Sequence, residues 1–550
     1  MRSKLSYFSL ILFSTVTLNA IDITGTISYE RVVPVHSGSL TGLNYSNIST
    51  ETAKQITVEA VNSSNTVVGT TTTDDSGNYR FTSLPSNTSI KIRAYAKMVK
   101  TSGWDVRILN TGNNDSQYVI EGSLVSTGSS NSVRDLLATS SDKSSPPFAI
   151  LDSVYLAMNK ILNTDSSVVF PALSVSWSTE NISTGSYYDG TQIVLQGDQS
   201  GDSDEYDTHV IIHEWGHYFE DKFSRADSTG GSHGAGEHLD IRLAFGEGFG
   251  NAFAAIVTDD PIYFDTSQAN GWNMNIESDT KESPGWFSEA SIQRILYDLY
   301  DSNDDDSDTL SLGFLPMYEL FINEQKNTEA FTSLFSFVTE LKNNNARDTA
   351  KIDSIVASEG ITTIDDIYGT NRSSNVEEIS LPIYSNLTVN ETLSNICTSK
   401  KYGTLNKLNN HKFLKFTVTN AKNYFIQVSQ TNGTGSYPQF TIYKASPFKE
   451  IGESTISQQT VTGNYTLTAG DYLIDIFDAN KNSGTACFDI SVGDTTDIDT
   501  TTTSAPVSSG SSGEAKSVGV ELPSNPLLIL LVLFGIMIIP MILMNKELSK

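Results

Sequence analysis

Histidine, cysteine and positive charge are all scarce in this sequence: 7 His, 2 Cys and 35 Lys+Arg stand against 64 Asp+Glu in 550 residues. A formal net charge of −29 excludes a nucleic-acid partner, whose phosphates would be repelled. Cys397 and Cys487 are too few for a cysteine-built structural zinc site, and they fit either one disulfide or two buried thiols. Long apolar runs are missing from the body and confined to the two ends. The length exceeds what one hydrophobic core covers, so several domains are expected.

At the first end, Arg2 and Lys4 precede the apolar run Leu5 to Leu18, and the small residue Ala20 follows. That order reads as a secretory leader, 1–20, cleaved after Ala20. At the other end Pro526 to Met544 carries no charge, is long enough to cross a hydrocarbon core, and is followed by Lys546 and Lys550. The expectation is a transmembrane helix at 526–544 and a cytoplasmic tail at 545–550. The body would then be exported, held at the membrane with its mass outside the cytoplasm, in the periplasm or on the cell surface. Residues 494–525, dominated by Thr, Ser, Asp and Gly, read as a solvated linker.

Between these ends the hydrophobic period changes twice. Residues 21–128 alternate apolar and polar, as in Gln55–Ala60 and Ser89–Tyr95, with a turn at Asp74 to Gly77. The run TVEAVNSSNTVVGTTTTDDSGNYRFTSLP within them resembles the carboxypeptidase regulatory-like β-sandwich. Residues 129–379 carry apolar residues at helical spacing in five stretches, with strand-like segments at Val168–Trp177 and Thr191–Gln196. Residues 380–493 return to alternation, and their ending LTAGDYLIDIFDANKNSGTACFDISV resembles the pre-peptidase C-terminal domain.

The chemistry concentrates in the middle stretch. Five of the seven histidines fall between His209 and His238. His213-Glu214-Trp215-Gly216-His217 places two imidazoles four residues apart, on one face of a helix, with Glu214 one step round. Thirty residues after His217, Glu247 sits between glycines inside an apolar run. A carboxylate buried there is costly without a cation. Two histidines and one glutamate leave a fourth position open, the catalytic form of a zinc site. His213, His217 and Glu247 are therefore the expected ligands and Glu214 the catalytic base, with peptide or protein as substrate. His209, one turn before His213 on the same face, is expected to pack behind the ligands.

HEWGH followed by GEGFGN resembles the thermolysin/fungalysin group of zinc peptidases, the gluzincins. The resemblance implies an α+β, mainly helical zincin-like catalytic domain, here flanked by two all-β sandwiches in a multidomain chain that ends in the transmembrane helix. It also implies an edge strand, at Gly185, Ser186 and Tyr187, that pairs with substrate backbone. Asn251 stands where the group usually has an aspartate that orients a histidine ligand. The group's later oxyanion histidine has no counterpart, which leaves Tyr187, Tyr188, His233, His238 and Arg294 as candidates. His233 and His238 are read first as loop residues. Two acidic clusters, Asp198 to Asp207 and Asp301 to Asp308, fit either a calcium ion or a solvated loop. The function expected is an extracytoplasmic zinc metalloendopeptidase. Its alternative is a surface-displayed binding or adhesion protein with a degenerate peptidase domain.

Overall fold

The computed structural model describes residues 20–494 apart from 39, 183–184, 268–269, 278–282, 303–308, 371–377, 434, 436, 456–458 and 481–483. Strand residues outnumber helical ones among them. Among the described residues there are seven α-helices: α1 (Pro146–Thr164), α2 (Thr208–Phe223), α3 (Ile241–Thr258), α4 (Glu289–Tyr300), α5 (Phe314–Leu320), α6 (Leu334–Asn344) and α7 (Thr349–Ser358).

The N-terminal β region does not stand apart from the helices. Trp104–Asn110 pairs in parallel with Leu173–Trp177, setting Ile108 opposite Val175, and Gln192–Val194 adds in parallel on the other side. The result is one ten-stranded sheet crossing the boundary expected at 128/129. A second sheet crosses it too, because Gly271–Asn275 pairs with Leu40–Thr52. Apolar residues from both regions share a single core, with Ile108, Val175, Ile211 and Phe249 each 0 to 1% exposed. The expected fold class, a mainly helical domain between two free-standing sandwiches, is corrected accordingly. Alternation along a strand shows which face is buried but not which distant strand it pairs with.

Residues 384–494 form a five-stranded and a four-stranded sheet around their own apolar interior. Cys397 and Cys487 are joined in a disulfide between neighbouring strands of the four-stranded sheet. These strands lie in the same compact unit as the helices. The join is polar and buried: Arg242, second residue of α3, donates to Asp240 at 2.9 and 3.0 Å and to Asp475 of the five-stranded sheet at 2.8 Å. His411 bonds the same Asp475 at 2.8 Å. Burial pushes the Asp475 carboxyl up, yet His411 and Arg242 together hold it down to about 2. Arg242→Leu leaves Asp240 buried without its cation and Asp475 with His411 alone, and is expected to destabilise the chain by about 3–5 kcal/mol. Urea unfolding checks this; a loss under about 1 kcal/mol, typical of an exposed ion pair, would show the cluster to be solvated.

No helix of the described residues is long and apolar enough to cross a membrane. The segment 526–544 lies outside the described residues, as do the linker, the tail, residues 1–19 of the leader and most of the acidic cluster Asp301 to Asp308. No described helix supports the expected membrane anchor, and the segment on which it was placed lies outside the described residues.

Candidate metal centre

Helix α3 is buried along nearly its whole length, Ile241 to Val257, so every polar side chain on it needs a partner inside the protein. Asp240 caps its first turn by accepting from the Arg242 N–H at 3.0 Å. Helix α2 crosses it closely. An added Cβ on Gly216 of α2 would stand 3.4 Å from the Gly250 Cα, an ordinary contact distance. The close crossing brings Glu247 of α3 beneath the two histidines of α2.

The ligand atoms of His213, His217 and Glu247 all lie within 4.8 Å of one another. His213 Nε2 and His217 Nε2 are 3.1 Å apart, and Glu247 Oε2 stands 3.1 Å from the first and 3.4 Å from the second. Asn251, one turn along α3 from Glu247, turns its Oδ1 to His213 Nδ1 at 2.8 Å, while its amide donates to Gln293 at 2.9 Å. With Asn251 accepting, His213 Nδ1 carries the hydrogen and Nε2 presents its lone pair to the centre. Glu220 lies beside His217, its Oε2 3.7 Å from Nδ1, a charge contact longer than a hydrogen bond. Burial alone would push the Glu247 carboxyl up, but the imidazoles of His217, His213 and His233 hold it well below the usual range.

His233 is the addition that the sequence reading set aside as a loop residue. Its Nε2 lies 3.1 Å from Glu247 Oε2, and its Nδ1 lies 2.7 Å from Glu289 at the start of α4. The loop after α2 thus folds back over the site. His238 does not join it; that ring is stacked between Phe287 and Tyr402, with centroids 4.3 and 4.2 Å away. His209 is 1% exposed and packs behind the ligands, its Nε2 3.2 Å from the Asp260 carbonyl and from Thr258 Oγ1. Arg294 is tied to Glu359 by two bonds of 2.9 Å. Glu214 is 7% exposed, and Tyr263 stands beside the site with its ring 6.2 Å from that of His213.

Tyr187–Tyr188 is the outermost strand of the ten-stranded sheet, with Tyr187 opposite Val194. Tyr187 is 47% exposed. Ser186 is held from two sides: its hydroxyl donates to Asp204 and accepts from the Gln196 N–H at 3.0 Å. Gly185 precedes it at φ +155°.

Sequence reasoning missed Glu220, Glu289, Gln293 and Tyr263, and named His233 only as one of five oxyanion candidates. Glu220 had a signal, standing three residues after His217 on the same helical face. Gly250 had one too, as a glycine inside a helix. A Cβ there would meet the His213 ring at 2.8 Å, against atoms held by Asn251 and Glu247. Gly250→Ala ought to stabilise an exposed helix by about 1 kcal/mol. Here it is expected to displace His213 and weaken zinc binding by on the order of tenfold or more, as read by competition with a chromogenic chelator. Unchanged affinity would mean that the ring has room to move.

Residues 164–358, a span holding every residue of this centre, match the family described as the Mycolysin C-terminal domain. This finding corrects the thermolysin/fungalysin resemblance read from HEWGH and GEGFGN, and with it the gluzincin assignment. No curated protein matches the chain. Among solved structures, the pre-peptidase C-terminal domain of collagenase from Bacillus anthracis is 19% identical, covering 22% of this chain and 99% of its own, with a TM-score of 0.17. PliG of Aeromonas hydrophila, a periplasmic inhibitor of g-type lysozyme, is 10% identical over 20% of this chain and 96% of its own, with a TM-score of 0.14. The surface-associated copper-binding protein CorA of Methylomicrobium album is 9% identical over 20% of this chain and 98% of its own, with a TM-score of 0.17. The family match covers less than half of the chain and makes residues 164–358 similar to a peptidase-associated or binding module.

Proposed function

We propose that the chain is a zinc-dependent hydrolase of peptide bonds, with His213, His217 and Glu247 as metal ligands and Glu214 as general base. The observation that carries this reading is the spacing of the three ligand atoms. Donors about 2.05 Å from one tetrahedral centre stand about 3.3 Å apart, and the three separations here are 3.1, 3.1 and 3.4 Å. Two imidazoles and a carboxylate are also the donor chemistry of catalytic rather than structural zinc.

When bound, zinc supplies Lewis acidity toward a carbonyl oxygen and lowers the pKa of water. The remaining work falls to the chain. Asn251 fixes the ring orientation of His213, and the charge of Glu220 stands beside His217. Glu214, adjacent to His213 on α2, would take the proton of the attacking water and return it to the leaving nitrogen. His233, poised over Glu247, is the candidate donor to the oxyanion. A peptide lying along Gly185, Ser186 and Tyr187 would add a strand to the sheet edge.

The strand-rich body and the two-sheet sandwich at 384–494 favour a second reading, a binding or adhesion protein that holds the ion without turnover. Casein hydrolysis by the full chain, stripped of metal and then reloaded with zinc, separates the two. Zinc-restored cleavage supports the hydrolase. A folded, zinc-loaded chain that cleaves neither casein nor a mixed peptide library supports the binding protein.

A further inference from the structure

A second set of convergent side chains lies apart from the histidines. The carboxylates of Asp202, Asp204 and Asp265 offer oxygens within 4.8 Å of one another. The first two belong to the loop before α2, and Asp265 ends the strand Ile262–Asp265. Asp207, in the same loop, accepts from the Thr266 N–H at 2.6 Å and from the Thr266 hydroxyl at 2.8 Å. That engagement explains why Asp207 stands at the N-cap of α2 without capping it.

A cluster of acids is ordinarily a solvated loop. This one differs in burial and in what its atoms lack. Asp204 is 3% exposed; one of its oxygens accepts from Ser186, and the other, Oδ1, has no partner among the described residues. Asp202 Oδ1 is likewise buried and unpartnered, and so is the hydroxyl of Ser203, which is 0% exposed. Buried polar atoms are nearly always satisfied, so an orphaned carboxylate oxygen beside two other carboxylates calls for a cation.

We infer that Asp202, Asp204 and Asp265 form a calcium site that ties the loop before α2 to the strand Ile262–Asp265. All three donors are carboxylate oxygens with no imidazole or thiol among them, the chemistry of a hard cation. Oxygens about 2.4 Å from one ion stand at most about 4.8 Å apart, which the cluster satisfies. Calcium accepts such an irregular set; magnesium requires near-octahedral geometry. Left without an ion the site is self-opposing: burial and the mutual repulsion of Asp207, Asp265 and Asp202 push the Asp204 carboxyl well up, and burial with Asp202 pushes Asp265 up to about 7. The ion would also steady Ser186, through Asp204, and the entry to the histidine-bearing helix, through the loop that runs on into Asp207 and α2. This inference stands on its own residues and needs no catalysis.

The test uses the full chain, passed over chelating resin and reloaded with zinc. Calcium binding is read by titration calorimetry and melting temperature, beside Asp204→Asn and Asp265→Asn, with magnesium as the control ion. Wild type is expected to bind calcium and melt higher with it, while magnesium has little effect. Each variant is expected to bind calcium at least about tenfold more weakly. Without calcium each should melt at or above wild type, because a repelling charge has gone. A wild type indifferent to calcium overturns the site, and so do variants that respond as wild type does. Zinc content measured on the same samples keeps this outcome distinct from failure of the zinc centre.

Discussion

Replacing Glu214 by Gln is expected to lower kcat/KM on casein-derived peptides by about 10²–10⁴-fold while bound zinc stays at the wild-type level. Gln keeps the size and the buried position of Glu214, which is 7% exposed, so packing along α2 is spared. It cannot accept a proton from water, so a loss confined to turnover points to that step. The ligand atoms belong to His213, His217 and Glu247, and the variant touches none of them. Zinc lost together with activity would make Glu214 part of the metal's support and sink its role as base. Activity kept within a few-fold would sink it as well, and would move the base to His233 or to Tyr263.

The legible part of this centre is the part written at helical spacing. His213 and His217 are four residues apart, and Asn251 follows Glu247 by the same interval, so one face of each helix announces them. Glu247 was readable for another reason: an acid among glycines and phenylalanines must find a cation. His233 was readable only as one candidate among five, because its place depends on how the loop GGSHGAGEH folds back toward Glu289, fifty-six residues away. Loop paths carry no period, and this one is set by contacts that only the assembled helices provide.

The same distinction holds for the fold. Alternation in Ser89–Tyr95 and in Lys412–Val418 matches strands of the structure, as does helical spacing in α2 and α3. The parallel pairing of Trp104–Asn110 with Leu173–Trp177 spans more than sixty residues and includes a helix, α1, between its strands. Such a crossover follows from burying both faces of the sheet, which no local window reveals. Modules that read as separate along the chain therefore share one sheet. The acidic loop 198–207 shows the converse. Its composition fitted either a calcium ion or a solvated loop, and the third carboxylate of the cluster, Asp265, lies outside the loop.

Glu247→Ala is expected to cost more zinc affinity than the roughly 10–100-fold that loss of a supporting residue such as Asn251 brings. One oxygen of Glu247 meets three imidazoles, at 3.1 Å from His213, 3.4 Å from His217 and 3.1 Å from His233. Removing the carboxylate takes away the negative charge that offsets burial at the site and leaves neutral nitrogens as the only donors. His233 is near enough to replace it. Zinc affinities of Glu247→Ala, His233→Ala and the double variant therefore decide the third ligand. Weak binding in Glu247→Ala with near-normal binding in His233→Ala assigns Glu247 and leaves His233 to the substrate. The reverse pattern makes His233 the ligand and Glu247 its partner, with the role of Glu289 reduced to orienting that ring at 2.7 Å. If both single variants bind weakly and the double is no worse than either, the carboxylate and the imidazole act as one unit.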